Sequence, residues 1–330
     1  MQAVIATRHG GPEVLSTVDT HPTPRPTRGR VLVAVAASGI NYIDVSQRRG
    51  VFAVPTPFVP GVEGAGTVLE IGPDVAGVAV GDRVAWAMDG SVTTAYGAYA
   101  QRAVVRADRL VPIPPRLDAE TAASVLMHGM TAHYLTHDAY RIRPGDTVLV
   151  HAAAGGLGGL LTQYAVACGA RVIATVSGPD KHARARAAGA ALVLDYAGFA
   201  DRIREATAGQ GVDAVYDGVG AATFDAGLAS LRPRGTMVLL GGISGPVRDF
   251  DTGRLLAGGS LHLTRPGIAD YVRDRDELLL RARDVLARTG NGTLRPHLGG
   301  RYPLSEARRA HEDLESRRTT GKLLLIPEVD

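Results

Sequence analysis

Thr147-Val148-Leu149-Val150-His151-Ala152-Ala153-Ala154-Gly155-Gly156-Leu157-Gly158-Gly159-Leu160 is the stretch on which the reading of the chain turns. It opens on an alternating, β-branched run and breaks into small residues. It then passes into Leu161-Thr162-Gln163-Tyr164-Ala165-Val166-Ala167, which spells strand, tight glycine turn and helix. In a doubly wound sheet the first turn of such a helix points unpaired backbone N–H groups at a diphosphate. Only residues without bulky side chains let the backbone come that close. The spacing Ala152-x-x-Gly155-x-x-Gly158 is a variant of the dinucleotide fingerprint, with alanine in the first glycine position. Glycine-rich turns also serve plain packing; the strand–turn–helix context favours a nucleotide.

Downstream, the alternation continues. Strands are expected over 171–176, 191–195, 214–217 and 236–240, with helices over 179–188, 199–207 and 222–231 between them. Together with the opening stretch this gives five strands alternating with helices, hence a parallel sheet covered on both faces. Ser260-Leu261-His262-Leu263-Thr264 reads as a sixth strand at the edge, whose unpaired backbone groups a two-fold homodimer contact near Leu261–Leu263 would satisfy. Upstream, short strands around 3–7, 31–36, 61–72, 81–87, 99–105 and 110–114, punctuated by Gly and Pro, suggest a compact, partly open barrel. Asp118 is the expected N-cap of a long helix over 119–137. The tail, with a last strand over 322–327, is too short for a third domain and is expected to return to the β-rich first part.

Composition narrows the function classes. Lys+Arg 36 against Asp+Glu 33 leaves a net charge of +3, and the only lysines are Lys181 and Lys322. No polybasic run with interleaved aromatics exists, so nucleic-acid binding is not indicated. A lone cysteine, Cys168, excludes an intramolecular disulfide and any cysteine-rich metal site. The uncharged window 147–170 mimics a membrane span but changes from strand to helix pattern midway, and the first residues lack a signal-peptide pattern. A cytoplasmic protein with no membrane segment is expected.

Which nicotinamide cofactor such a fold prefers is decided at the end of the second strand, where an acid holds the ribose 2′-OH of NAD. Here that strand ends Ala174-Thr175-Val176-Ser177-Gly178, with no acid until Asp180, and Lys181 follows; Tyr196 lies after the next strand. Hydroxyls and a cation suit a 2′-phosphate, so NADPH is favoured. Gly241-Gly242-Ile243-Ser244-Gly245 follows the fifth strand at its carboxyl end and is expected to line the nicotinamide pocket. His133 and His137 have the i, i+4 spacing of a zinc-binding helix, but Tyr134 stands where the glutamate is needed and no third ligand is evident, so no metal site is assigned. His151 reads as a packed, hydrogen-bonded residue, and Ser177 and Ser244 show no Ser/His/Asp arrangement.

Ordered motifs along nearly the whole chain then add a family resemblance. They include His9-Gly10-Gly11-Pro12-Glu13-Val14-Leu15, Gly39-Ile40-Asn41-Tyr42-Ile43-Asp44, Pro60-Gly61-Val62-Glu63-Gly64-Ala65-Gly66 and His128-Gly129-Met130-Thr131-Ala132. Val215-Tyr216-Asp217-Gly218-Val219-Gly220, Thr264-Arg265-Pro266 and Ala310-His311-Glu312-Asp313-Leu314-Glu315-Ser316-Arg317 continue them. The chain resembles the zinc-free quinone oxidoreductases, the zeta-crystallin-like group of the medium-chain dehydrogenase/reductase superfamily. The resemblance implies an α/β protein: a GroES-like β-rich catalytic domain over 1–121, a Rossmann doubly wound parallel sheet binding NADPH over 122–264, and a return segment over 265–330. It implies a homodimer, with Asn41 on the nicotinamide ribose side and Thr131 in the nicotinamide region. Ala154, Gly155, Gly156, Leu157 and Gly158 would carry the diphosphate, while Ser177, Lys181, Tyr196 and Arg317 would surround the 2′-phosphate.

Zinc-dependent relatives carry a cysteine near Asn41 and a histidine between Gly61 and Glu63; this chain has Asn41 and Val62 there. Without that Lewis acid, alcohol dehydrogenation is disfavoured, whereas hydride transfer from NADPH to a quinone or enone needs no metal. Two departures from relatives stand out. Where relatives often carry polar side chains, the loop after the fifth strand offers Gly242 and Ile243, so contacts there would be through backbone, and Phe52 falls where double-bond reductases can have a tyrosine proton donor, leaving Tyr42 or water for that role. Three readings follow: an NADPH:quinone oxidoreductase first, a 2-enoyl or alkenal reductase as the alternative, and an NADPH-binding structural or regulatory crystallin-like protein from another class.

Overall fold

Thr147–Val150 lies at the centre of a parallel sheet, and its Val148, Leu149 and Val150 are wholly buried, as a strand covered on both faces must be. The computed structural model describes residues 1–52, 54–89 and 97–328. It divides into two compact units, Met1–His128 with Tyr271–Asp330, and Gly129–Asp270. The expected limits at 122 and 264 fall a few residues before these, and the first limit, expected and observed alike, lies within the helix Ala119–Tyr134.

The first unit starts with the antiparallel pair β1 (Ala3–Ala6) and β2 (Leu15–Val18). The long β3 (Arg30–Ile40), β4 (Glu63–Ile71), β5 (Arg83–Ala87), β6 (Arg102–Arg106) and β7 (Val111–Pro112) follow. Helix α1 (Tyr42–Arg48) leaves directly from the end of β3, and α2 (Ala119–Tyr134) starts under the expected cap, with Asp118 Oδ1 accepting the Thr121 N–H at 2.6 Å. Beyond Tyr134 the helix widens into one looser turn over Leu135–Ala139, so the regular part stops short of the expected His137.

In the second unit β8 (Thr147–Val150) leads through the glycine turn into α3 (Gly156–Ala167). Then come β9 (Arg171–Val176), β10 (Leu192–Asp195), β11 (Val212–Asp217), β12 (Leu231–Leu239) and β13 (His262–Thr264). All pairings are parallel, in the order β10-β9-β8-β11-β12-β13. Connections leave β8 toward β9 on one side while β11 flanks it on the other, which places the topological switch point at the carboxyl ends of β8 and β11. The core under one face gathers Leu149, Ile173, Val215, Met237, Phe224 and Leu261. Leu261 is thus a core residue, and the exposed part of the edge strand begins at His262.

The chain then returns to the first unit. β14 (Leu298–Pro303) pairs with β15 (Lys322–Ile326), and β15 runs antiparallel to β3, with Leu323 opposite Ile40 and Leu325 opposite Ser38. That register brings Lys322, the residue before Leu323, to the end of β3, where α1 begins.

Candidate functional site

The turn after β8 is built by close approach. Ala152 sits at φ 54°, a left-handed conformation that glycine adopts more cheaply than alanine. Its N–H donates to the Tyr196 hydroxyl at 3.1 Å, and the next N–H, of Ala153, donates to the Thr175 carbonyl. A Cβ on Gly158 would stand 2.3 Å from the Ala152 carbonyl oxygen, so this glycine lets α3 pack on its own turn. Gly155 is less confined, since a Cβ there would meet only the Ala152 oxygen, at 3.2 Å. Gly155 is extended, and the Gly159 N–H donates back to its carbonyl at 2.9 Å. The N–H groups of Gly156, Leu157 and Gly158 therefore belong to the first turn, which has no internal acceptors. These are the donors a diphosphate requires, and the small-residue run including Ala154 leaves them reachable.

At the end of β9 the Lys181 ammonium donates to Ser177 Oγ at 3.0 Å, and Lys181 is only 8 % exposed. The structure thus brings Ser177 and Lys181 together as a hydroxyl–cation pair. Tyr196 is tied to the glycine turn: its hydroxyl accepts the Ala152 N–H, and its ring lies 5.8 Å from that of His151. Arg317 is exposed, belongs to the first unit, and ends the Ala307–Glu315 helix at φ 60°. Thr131 is buried on α2 in the second unit.

The loop after β12 is glycine for a reason the sequence did not reveal. A Cβ on Gly241 would lie 2.5 Å from the Gly218 carbonyl, and one on Gly220 would lie 2.8 Å from Gly242 Cα. The loops after β11 and β12 lie against each other, with Ser244 Oγ donating to the Val219 carbonyl and accepting the Ala222 N–H. Asp217 holds the first of these loops through the N–H groups of Val219 and Gly220 and the Thr223 hydroxyl. The Ile243 side chain is 37 % exposed.

His151 is packed as expected, its Nδ1 2.7 Å from Thr175 Oγ1, and burial pushes its pKa down to about 4 against the opposing pull of Asp217. His133 and His137 stack with ring centroids 4.3 Å apart, and His137 Nδ1 already faces the His133 carbonyl. No cluster of three or more His, Cys, Asp or Glu that could hold a metal exists among the described residues.

The first unit contains a polar network that sequence reasoning missed apart from two members. Asn41 is buried at the start of α1; its Nδ2 donates to the Gly39 carbonyl and to Glu63 Oε2, and its Oδ1 accepts from Lys322 Nζ at 2.6 Å. The same ammonium reaches Glu63 Oε2 at 2.6 Å, and Glu63 Oε1 accepts the Met127 N–H. Gly39 clears room for this pair, since a Cβ there would lie 2.3 Å from Glu63 Oε2. Asp44 accepts from the N–H groups of Asn41 and Val62 and from the Tyr99 hydroxyl; burial nevertheless raises its carboxyl to about 6.

The direction of the remaining bonds follows from chemistry. Arg48 can only donate, so the His311 Nδ1 3.2 Å from it accepts, and His311 carries its proton on Nε2. That N–H donates to the Tyr99 oxygen at 3.0 Å, which leaves the Tyr99 proton for Asp44. Burial, reinforced by the Arg48 charge, holds the His311 pKa down at about 3, so the ring is neutral. Arg48 also donates to Glu315 at 2.6 Å, fastening α1 to the Ala307–Glu315 helix. Tyr42 serves the same junction: its hydroxyl donates to the Leu314 carbonyl at 3.0 Å, and burial raises its pKa. The available signal was in the sequence: Glu63 stands among the small and apolar residues of Pro60-Gly61-Val62-Glu63-Gly64-Ala65-Gly66, and Lys322 heads the apolar run Leu323-Leu324-Leu325-Ile326.

Comparison with known proteins matches these two halves. Residues 156–266 match the family model described as zinc-binding dehydrogenase, and residues 27–115 match that described as alcohol dehydrogenase GroES-like domain. The chain is 40 % identical to a quinone oxidoreductase of Pseudomonas aeruginosa, over 97 % of each protein. It is 34 % identical to a 2-haloacrylate reductase from a Burkholderia species, over 99 % of each. A mycobacterial protein solved in complex with NADPH superposes with a TM-score of 0.94 at 46 % identity, covering 99 % of this chain and 100 % of that one. With a doubly wound sheet, a glycine turn at its switch point and full-length relatives of this kind, the chain belongs to the quinone oxidoreductase family of the medium-chain dehydrogenase/reductase superfamily.

Proposed function

We propose that the protein is an NADPH:quinone oxidoreductase that works without zinc. The observation that carries the cofactor choice is the Lys181–Ser177 pair at the end of β9, where a carboxylate would select NAD. When bound, NADPH supplies a hydride. The first-turn N–H groups of α3 would take its diphosphate, Lys181 and Ser177 its 2′-phosphate with Arg317 as a further cation, and Asn41 and Thr131 would orient the nicotinamide. Gly241, Gly242 and Ile243 would face the nicotinamide end through backbone groups. The quinone accepts the hydride and takes a proton from solvent, so the chain's own task is orientation and exclusion of competing water.

The donor chemistry argues against a metal in the first unit. The Asn41 and Glu63 oxygens that could hold a cation already share the Lys322 ammonium, and a second positive charge there would be unfavourable. Reduction of an activated C=C bond is a second reading, favoured by the 34 % identity to the 2-haloacrylate reductase. It needs a proton at carbon; the one proton of Tyr42 is committed to Leu314, which leaves water as the donor for that reading. We further place the protein in the cytoplasm, consistent with the absence among the described residues of any helix long and apolar enough to cross a membrane. We infer a homodimer through the backbone of β13, with light-scattering mass as its check.

The test is NADPH oxidation with quinone and enone panels side by side, in wild type and Lys181→Ala. Quinone turnover should exceed enone turnover. Lys181→Ala should weaken NADPH at least tenfold, about 1.4 kcal/mol, and leave NADH within twofold. Equal weakening of both cofactors removes the account of selectivity, and tight NADPH binding with no turnover removes the enzyme.

A further inference from the structure

Lys322 is one of two lysines in the chain, and it is 1 % exposed. A buried ion pair is a weak source of stability, because removing both charges from water offsets most of their attraction. Neutralising Glu63 needs one contact from the ammonium. Lys322 makes a second, to Asn41 Oδ1, at the same 2.6 Å. An amide has one oxygen and one nitrogen end, and only the oxygen can face an ammonium. The two remaining bonds of Asn41, from Nδ2 to the Gly39 carbonyl and to Glu63, fit only that orientation. Gly39 is kept free of a Cβ that would come within 2.7 Å of Lys322 Cε.

We propose that Lys322, together with Glu63, is a positioning residue that locks the Asn41 side chain in one orientation for hydride transfer. It rests on the reading that Asn41 borders the nicotinamide. Lys322 itself touches neither cofactor nor acceptor in this account. Its effect passes through the amide it orients and falls on the rate of the chemical step, with little effect on cofactor affinity.

The experiment measures the single-turnover rate of NADPH oxidation by a quinone, the NADPH dissociation constant and the melting temperature. The first variant, Lys322→Met with Glu63→Met, replaces both charges by apolar side chains of similar size, a change that buried pairs often tolerate. Folded, it should bind NADPH within twofold of wild type and react at least tenfold more slowly. Lys322→Gln is the milder second variant, and should lose about fivefold in rate, about 1 kcal/mol in barrier. A wild-type rate in either folded variant overturns the proposal. Asn41→Ala separates it from the reading beneath it. Loss of rate there without loss in the Lys322 variants overturns the positioning role alone, whereas a wild-type rate in Asn41→Ala overturns the placement of Asn41 as well. In Asn41→Ala combined with Lys322→Gln, no further loss beyond Asn41→Ala is expected; additive losses would mean that Lys322 acts elsewhere.

Discussion

At the turn between β8 and α3, the proposed diphosphate site consists of backbone N–H donors with small side chains around them. At the junction of β3 and α1 the working groups are side chains, buried and tied to one another: Lys322 to Asn41 and Glu63, Tyr99 to Asp44, Arg48 to His311. The first region needs almost no chemistry from its residues and strict limits on their size. The second needs a charge complement in which each member holds the next. A backbone site is therefore vulnerable to bulk, and a side-chain network to any change of charge.

The largest effect expected from that difference is Glu63→Ala. It leaves the Lys322 ammonium buried without its counterion and should cost about 3–5 kcal/mol in urea unfolding. A loss below 1 kcal/mol would mean that water reaches the lysine. Next is Gly158→Val. Its Cβ would collide with the Ala152 carbonyl, so the cofactor-free protein should lose about 3 kcal/mol. A variant that melts normally and fails only to bind NADPH would show that this glycine clears the diphosphate, which was the expectation from sequence. The smallest effect concerns pH. His311 is held at about 3 against an ordinary 6.5, so its contribution is complete above pH 6.5 and is lost as pH falls toward 3. Asp44, raised from 3.8 to about 6, acts oppositely: its contribution is present below 3.8 and is lost as pH rises through 6. His311→Gln preserves an acceptor for Arg48 and a donor for Tyr99. At pH 5.5, one unit below the ordinary 6.5, it should relieve about 1.4 kcal/mol of acid destabilisation, seen as a flatter acid limb of the stability curve. Parallel curves for variant and wild type would show that the buried ring does not titrate as described.

The contrast also explains what could be read from the chain alone. Periodicity fixes a buried parallel strand such as Thr147–Val150 and a capped helix such as Ala119–Tyr134, because both signals are local. The motif Gly155-x-x-Gly158 is local too, although the reason for Gly158 lies in contact with Ala152 and could not be seen. The Lys181–Ser177 pair spans four residues and was legible for that reason. Lys322 and Asn41 are separated by 281 positions, and the bond between them exists only because β15 pairs with β3. Tyr196 was singled out by its position after a strand; the bond its hydroxyl accepts from the Ala152 N–H, 44 positions away, depends on tertiary packing and could not be read. The edge strand was recognised, but which of its residues face the core was not, and Leu261 proved to be inside.

The chain's basic residues comprise two lysines and 34 arginines, the 36 of the total less those two, and both lysines are buried. A protease that cuts after lysine therefore finds neither of its bonds on offer while the molecule is folded. Cleavage after Lys181 requires the end of β9 to open, and cleavage after Lys322 requires β15 to leave β3. The arginine-coated surface thus makes each lysine a natural reporter of one local opening, one in each unit, and under the proposed placement of the 2′-phosphate beside Ser177 bound NADPH should slow the first cut while leaving the second at its own pace.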